Sequence, residues 1–345
     1  MKVLITGASG FLGGHLAENC SAQGDAVRVL VRKTSDISHL KTIPEIEYHH
    51  GDLGEKDALE EACEGIEVVY HCAARVFVSG TYEQHYETNY LGTLNVLDAC
   101  LATGVKRLVF ISTPSTVFDF KDHLDIDESY PYPARYANDY SKTKALAEQE
   151  VIKANGSGGL TTTSLRPHAI WGPGDKFGFV PGFISRLVDG RFRSIGRDRE
   201  VLVDLCYVKN AAHACVLAGG SEKAGGKIYF ITDGESVNIW PFIDHVCDVL
   251  ELPKPGRDVS PASAMRIAGV VEFIWRLPWL KKKSAAPLTR YRVGILTKSG
   301  TYNIDAARRD LGYAPVVSVE EGLAQLKSWI AEIGGIENFV KHVRR

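Results

Sequence analysis

The chain has 345 residues, about two domains at roughly 150 residues each, and is 45% hydrophobic and 24% charged. That composition excludes collagen-like, low-complexity and wholly disordered chains and supplies material for a sizeable core. Lys+Arg 40 against Asp+Glu 42 gives a net charge of -2, which removes the electrostatic argument for a nucleic-acid partner.

The seven cysteines are scattered, odd in number and without a C-x-x-C pair. They sit mostly in apolar runs, so the expectation is a reducing, cytoplasmic setting with no disulfide frame and no metal site. Val3-Leu4-Ile5 is a short apolar run that stops at Thr6-Gly7. It predicts a buried strand rather than a secretory leader. No apolar run reaches the roughly 18 residues of a membrane span.

A glycine-punctuated turn follows at 7–13, then a helix to about Gln23 with Leu12, Leu16 and Cys20 at i, i+4 spacing. Val27–Val31 is apolar and β-branched, as a central parallel strand should be. A third strand is expected at Glu47–His50, a helix at Asp57–Cys63 and a strand at Val68–Cys72. Tyr82 to about Thr103 reads as one long helix. Leu108–Ser112 is a strand, Tyr140 to about Lys153 a helix and Thr162–Arg166 a strand. This alternation predicts βαβ units and a parallel sheet covered on both faces. After Pro167 the rhythm breaks, with strand-like pieces at Val201–Val208 and Lys227–Thr232. The expected division is therefore 1–171 for a dinucleotide-binding domain and 172–345 for a substrate lobe, with some strands free to return to the first sheet.

The turn carries glycines spaced G-x-x-G-x-x-G. Gly7 permits a tight turn, Gly10 lets backbone approach a pyrophosphate, and Gly13 lets helix and strand pack closely. Free N–H groups at the helix start would hold phosphates. Ser9, Phe11 and Leu12 share this turn. The second strand ends without an acid to bind a ribose 2′-hydroxyl, and Arg32 stands there instead. An arginine suits a 2′-phosphate, which favours NADP over NAD; stacking on adenine is its alternative role. Asp52, followed by Leu53, is a candidate adenine contact or a helix N-cap.

Tyr140 and Lys144 lie i, i+4 on one helix face. A neighbouring ammonium favours the phenolate and lowers a tyrosine's pKa, so the pair can act as general acid and base. The third hydroxyl should come from Ser112, Thr113, Ser115 or Thr116 at the strand end, with Thr113 preferred.

The segments TGASGFLG, GDL at 51–53, HCAA at 71–74, Asn89, STP at 112–114, YSKTK at 140–144 and LRPHAIWGPGD at 165–175 resemble an extended short-chain dehydrogenase/reductase. The segments around 203–210, 229–235 and 307–313 resemble its 3β-hydroxysteroid dehydrogenase branch. The resemblance implies an α/β fold, a Rossmann-type doubly wound parallel sheet with a smaller C-terminal lobe. It implies Tyr140 as acid/base, Lys144 on the nicotinamide ribose and Thr113 in the third role. It places Ala73, Ala74, Asn89 and Ser112 at the cofactor, and Pro167 to Ile170 at the nicotinamide. Cys72 stands where relatives often carry Asn. A homodimer packed through helices at about 82–103 and 140–154 is also implied.

The implied reaction is hydride transfer between NAD(P) and a secondary alcohol or ketone of a bulky hydrophobic substrate, with a 3β-hydroxysteroid or sterol (a 4-carboxysterol included) as the first choice and an NADPH-dependent 2-alkyl-3-oxoalkanoate reductase as the alternative. Sterol-4α-carboxylate 3-dehydrogenases and 2-alkyl-3-oxoalkanoate reductases look nearest: LRPH leans to the first, Arg32 and the 287–290 stretch to the second. A sugar-nucleotide epimerase or dehydratase is the alternative of another class; Arg32 and the apolar 264–280 stretch argue against it. A non-catalytic dinucleotide sensor would usually lack the Tyr/Lys pair. Residues 264–280, followed by Lys281-Lys282-Lys283, suit a lid over an apolar pocket, a face docked peripherally on a membrane, or an ordinary core helix. Arg290 and Arg292 are candidate partners of a substrate carboxylate.

Overall fold

The structure is a computed structural model that describes residues 1–76, 80–275 and 286–343. Along the chain come β1 (Lys2–Thr6), α1 (Phe11–Ala22), β2 (Ala26–Val31), β3 (Glu47–His50), α2 (Lys56–Cys63) and β4 (Val68–His71). Next are α3 (Tyr82–His85), α4 (Gly92–Thr103), β5 (Arg107–Ile111), β6 (His123–Ile126), α5 (Asp139–Lys153) and β7 (Thr161–Pro167). Six of these strands and Lys227–Ile231 form one parallel sheet, in the order Lys227–Ile231, β7, β5, β4, β1, β2, β3. The strand order reverses between β1 and β4, and the crevice at their carboxyl ends is where such sheets bind ligands.

β1 shows why the sheet is buried on both faces. Val3 and Ile5 join the apolar layer that includes Leu16 and Cys20 of α1, whereas Leu4 joins the layer with Leu59, Val96 and Val151. Alternate side chains thus serve opposite helical layers. A separate apolar core around Trp171, Phe183, Trp240, Ile243 and Leu323 holds the second lobe.

Three departures from the sequence reading matter for the site. The long helix from Tyr82 is interrupted by a π turn at Tyr86–Leu91, with Asn89 buried inside it. β6 was not expected; it is a short piece with Leu124 turned to solvent, and it pairs with Gly300–Tyr302 in a second, four-stranded sheet. The helix Val208–Gly220 also went unread. Its small residues are buried nearly all round, so it lacks the one-sided apolar stripe that announces a surface helix. It packs on α1 and covers the first sheet. No described helix is long and apolar enough to cross a membrane.

Candidate active site

The dinucleotide turn is built for close approach. Gly7 has φ +74°, and a Cβ there would lie 2.6 Å from the Ala73 nitrogen. A Cβ on Gly13 would lie 2.3 Å from the Gly7 carbonyl oxygen. Gly10 precedes α1 without a side-chain cap, so the first-turn N–H groups stay available to an anion. Ser112, at the end of β5, is buried, and its hydroxyl has no hydrogen-bond partner among the described residues. A cradle that excludes side chains, an uncapped helix start and an orphaned hydroxyl fit a dinucleotide. Phe11 stacks edge-on against His15 at 5.6 Å, and His15 bonds the Pro173 carbonyl at 2.9 Å. The start of the second lobe is thereby clasped to α1.

A buried hydrogen-bond chain ties this turn to α5. Thr93 donates to the Asn89 carbonyl at 2.7 Å, so it accepts from His71 Nε2 at 3.0 Å. His71 Nδ1 then accepts from the Thr6 hydroxyl at 2.7 Å, and Thr6 accepts from the Ala73 N–H at 3.4 Å. Burial pushes His71 down to about 3, which keeps it neutral and suited to that chain. The Asn89 amide takes the Arg75 N–H at 2.7 Å and donates to the Arg75 carbonyl at 3.0 Å and to Thr143 at 3.2 Å. Both its donors are spent on the protein. Asn89 therefore holds the Ala73–Ala74 loop against α5 rather than donating to a cofactor itself.

Arg32 lies exposed just past β2 and meets no side-chain partner among the described residues. Asp52 is exposed and accepts from the Gly54 N–H at 3.2 Å. It braces a turn and does not cap α2, whose N-cap is Glu55. Leu53 is buried, and its carbonyl accepts from Asn95 at 2.8 Å, so its backbone is anchored to α4.

Tyr140 sits in the first turn of α5, which Asn138 caps by accepting from the Ser141 N–H at 2.8 Å. The Thr113 side chain stands beside the Tyr140 hydroxyl and favours its phenolate. Thr113 also accepts from the Ser115 N–H at 3.2 Å and opens the Pro114–Thr116 turn. One helical turn beyond Tyr140, Lys144 is buried and donates to the Ile111 carbonyl at 2.5 Å, with its nitrogen 3.8 Å from the Phe110 ring centre. Burial pushes Lys144 down to about 7. Tyr140 is raised, chiefly by burial and then by the nearby Tyr291, while Thr113 opposes the rise. The expected lowering of Tyr140 by Lys144 is thus corrected: the amine is turned to Ile111 and Phe110, and desolvation of the phenol dominates.

At the next turn Glu148 meets Arg166, both buried. Pro167 ends β7 and is buried, and beyond it Ala169 adopts φ +47°. Ile170 and Trp171 pair with Cys206 and Tyr207. His168 Nδ1 donates to the Asp204 carbonyl at 2.7 Å, pinning this turn to the second lobe.

Two residues of the site escaped the sequence. Tyr291 comes from the helix Arg290–Thr297 and reaches Ser115 and Tyr140; no local pattern announces it. Glu148 had a signal, because Tyr140, Lys144 and Glu148 share one i, i+4 row. Arg290 pairs with Glu272 at 2.7 Å, and Arg292 donates to the Pro287 carbonyl at 3.1 Å. Both guanidinium groups are thus engaged by the protein. The helix Pro261–Trp275 fills the first part of the 264–280 stretch; residues 276–283 lie outside the described residues. Among the described residues no group of three or more His, Cys, Asp or Glu is placed to hold a metal ion.

Residues 4–260 match the model of the 3-beta hydroxysteroid dehydrogenase/isomerase family. The chain belongs to this family. As a member it is an NAD(P)-dependent oxidoreductase acting on CH–OH. This 3β-hydroxysteroid dehydrogenase family member is 36% identical over 335 residues to the 2-alkyl-3-oxoalkanoate reductase of Stenotrophomonas maltophilia, covering 95% of this chain and 99% of that one. It is 35% identical over 340 residues to a 3beta-hydroxysteroid-dehydrogenase/decarboxylase of Arabidopsis thaliana, covering 93% of this chain and 77% of that one. The crystal structure of gox2253 superposes with a TM-score of 0.81 at 25% identity, covering 96% of this chain and 98% of that one.

Proposed function

We propose that this enzyme interconverts a ketone and a secondary alcohol on a bulky lipid that bears a carboxylate on the neighbouring carbon, using NADP(H) in preference to NAD(H). The observation that carries the chemistry is Tyr140 beside Thr113, with buried Lys144 one helical turn away. Bound across the glycine turn, the dinucleotide would supply or accept the hydride. Gly7, Gly10, Gly13 and the α1 N–H groups would hold its phosphates, and Arg32 its ribose 2′-phosphate. Lys144 would reach the nicotinamide ribose from the end of β5. Tyr140 holds the proton that passes to the substrate oxygen in reduction and takes it back in oxidation. Thr113 orients that oxygen.

Two substrates share this chemistry: a 4-carboxysterol and a 2-alkyl-3-oxoalkanoate. Arg32, exposed and without a side-chain partner among the described residues, favours the second. The helix Pro261–Trp275 supports an apolar substrate or a lipid surface, since Ile267, Val270, Phe273 and Ile274 are all exposed on it. A homodimer through α4 and α5 is part of the proposal; Leu91 and Leu101 leave apolar surface on that side.

The deciding experiment offers a 3β-hydroxysterol, a 4-carboxysterol and a 2-alkyl-3-oxo acid, each with both dinucleotides. Turnover of a carboxylated substrate with NADP(H) is expected. Turnover of the plain sterol alone would refute the carboxylate, and faster turnover with NAD(H) would refute the role of Arg32.

A further inference from the structure

The start of the second lobe reaches the loop that follows β2. His15 of α1 holds the Pro173 carbonyl at 2.9 Å. A Cβ on Gly174 would lie 3.8 Å from Phe11 Cδ2 and 3.9 Å from His15 Nε2. Buried Asp175 closes the next turn, its Oδ1 accepting from the N–H groups of Phe177 at 3.0 Å and Gly178 at 2.8 Å. Lys176 sits between these two anchors, so its backbone is fixed while its long side chain extends away. Its ammonium lies 4.0 Å from Asp36 Oδ2.

The loop that carries Asp36 is seated on the same turn. The Ser35 N–H donates to the Arg32 carbonyl at 2.9 Å. Asp36 Oδ1 accepts from the Ser38 N–H at 3.0 Å and from the Ser38 hydroxyl at 2.7 Å. His39 Nε2 donates to the Ala8 carbonyl at 3.1 Å, inside the glycine turn. Both segments thus rest against the glycine turn and the start of α1, and Lys176 bridges them. Asp36 is the only acid between Arg32 and Leu40.

We propose that Lys176 is a specificity-determining residue for the dinucleotide: carried in from the second lobe, it acts beside Arg32 as a further cation for the ribose 2′-phosphate, and Asp36 engages it until that phosphate arrives. The proposal rests on the preference for NADP(H) stated above and extends it to a residue far from β2 in the sequence.

Charge favours the exchange. At 4.0 Å the Lys176–Asp36 pair contains no hydrogen bond, and such an exposed pair is worth about 1 kcal/mol at most. A phosphate monoester offers about two negative charges and three acceptor oxygens. Asp36 offers one charge, and its Oδ1 is already engaged by Ser38. The flexible lysine stem lets the ammonium move while the backbone stays anchored. The Asp36 side chain is 68% exposed, so water solvates its charge once Lys176 has left. NADH presents a neutral 2′-hydroxyl, which does not compete with Asp36 for the ammonium.

The test reads binding without turnover. The full chain is titrated calorimetrically with 2′,5′-ADP and 5′-AMP, then with NADPH and NADH; each pair differs by the 2′-phosphate. Lys176→Met should weaken 2′,5′-ADP and NADPH by roughly fivefold, the order of one exposed charge pair, and leave 5′-AMP and NADH nearly unchanged. Asp36→Asn should act in the opposite direction and tighten the two phosphorylated ligands by roughly two- to fivefold, because the competing carboxylate is gone. In the Lys176→Met background that gain should shrink. Neither side chain belongs to the core, so thermal unfolding should match wild type, and opposite signs from the two variants exclude a shared folding defect. Equal losses for both members of each pair in Lys176→Met would make the contact a plain latch between the lobes and overturn the proposal, as would no loss at all. A wild type that binds 2′,5′-ADP no tighter than 5′-AMP would instead overturn the NADP(H) preference itself, and this proposal with it.

Discussion

Arg166 and Glu148 form a two-toothed ion pair inside the protein: Nη2 lies 2.6 Å from Oε2, and Nε lies 3.1 and 3.2 Å from the two carboxylate oxygens. Glu148 also accepts from Ser164 at 2.7 Å and Tyr132 at 2.7 Å. These donors hold its carboxyl below the ordinary range although burial pushes the other way. The pair joins α5 to β7, and its carboxylate faces Lys144, which it helps keep charged.

Removing one partner leaves the other as an uncompensated buried charge. Glu148→Gln should therefore destabilise the fold by about 3–5 kcal/mol, read by urea unfolding. The double change Glu148→Leu with Arg166→Met should cost less than Glu148→Gln. A larger loss in the double variant would show that packing, not charge, dominates there.

Tyr140→Phe should lower turnover by roughly 10²–10⁴-fold, the usual contribution of a positioned acid or base. Dinucleotide binding, followed by fluorescence titration, should stay near wild type, because the phosphate cradle lies on α1. Joint loss of binding and turnover would place Tyr140 in holding the cofactor instead.

Arg32→Ala should weaken NADPH by roughly tenfold or more, the order of one lost charge-assisted hydrogen bond. NADH should change little, since it lacks the 2′-phosphate. Equal losses for both dinucleotides would assign Arg32 to adenine stacking. Raising the salt concentration should narrow the wild-type difference, because this exposed charge is screened.

The sheet, the glycine turn and the Tyr140–Lys144 row were legible because each is local: a strand's run, a turn's glycines, a helix's four-residue step. Gly7 could be assigned from spacing alone, and its φ of +74° is the backbone that spacing requires. Tyr291 was not legible, because its place depends on how the second lobe folds back over Thr113 and Ser115. Asn89 was expected at the cofactor and not as a tie between neighbouring segments. Only the π turn shows that its amide faces Arg75 and Thr143. Arg290 misled for the converse reason: a lone arginine near an apolar stretch says nothing of Glu272, eighteen residues earlier, which holds it.

The outer face of the helix Pro261–Trp275 gives the last test. A helix docked on a protein core hides its apolar side, yet here Phe273 is 72% exposed and Val270 59%. Ala264 and Ala268 face inward and already satisfy the core. Exposed apolar side chains clustered on one helix mark a contact with another apolar phase. In solution the protein should therefore sediment with phosphatidylglycerol-containing vesicles. Phe273→Asp should lower that partition by at least roughly tenfold, given about 1.5–3 kcal/mol for burying one such side chain. Thermal stability should hold, because the altered side chain leaves the core untouched, and turnover of a short, water-soluble substrate should hold as well. Undiminished vesicle binding by Phe273→Asp would remove this face from membrane contact. A rise in KM for the water-soluble substrate would make it a wall of the substrate pocket.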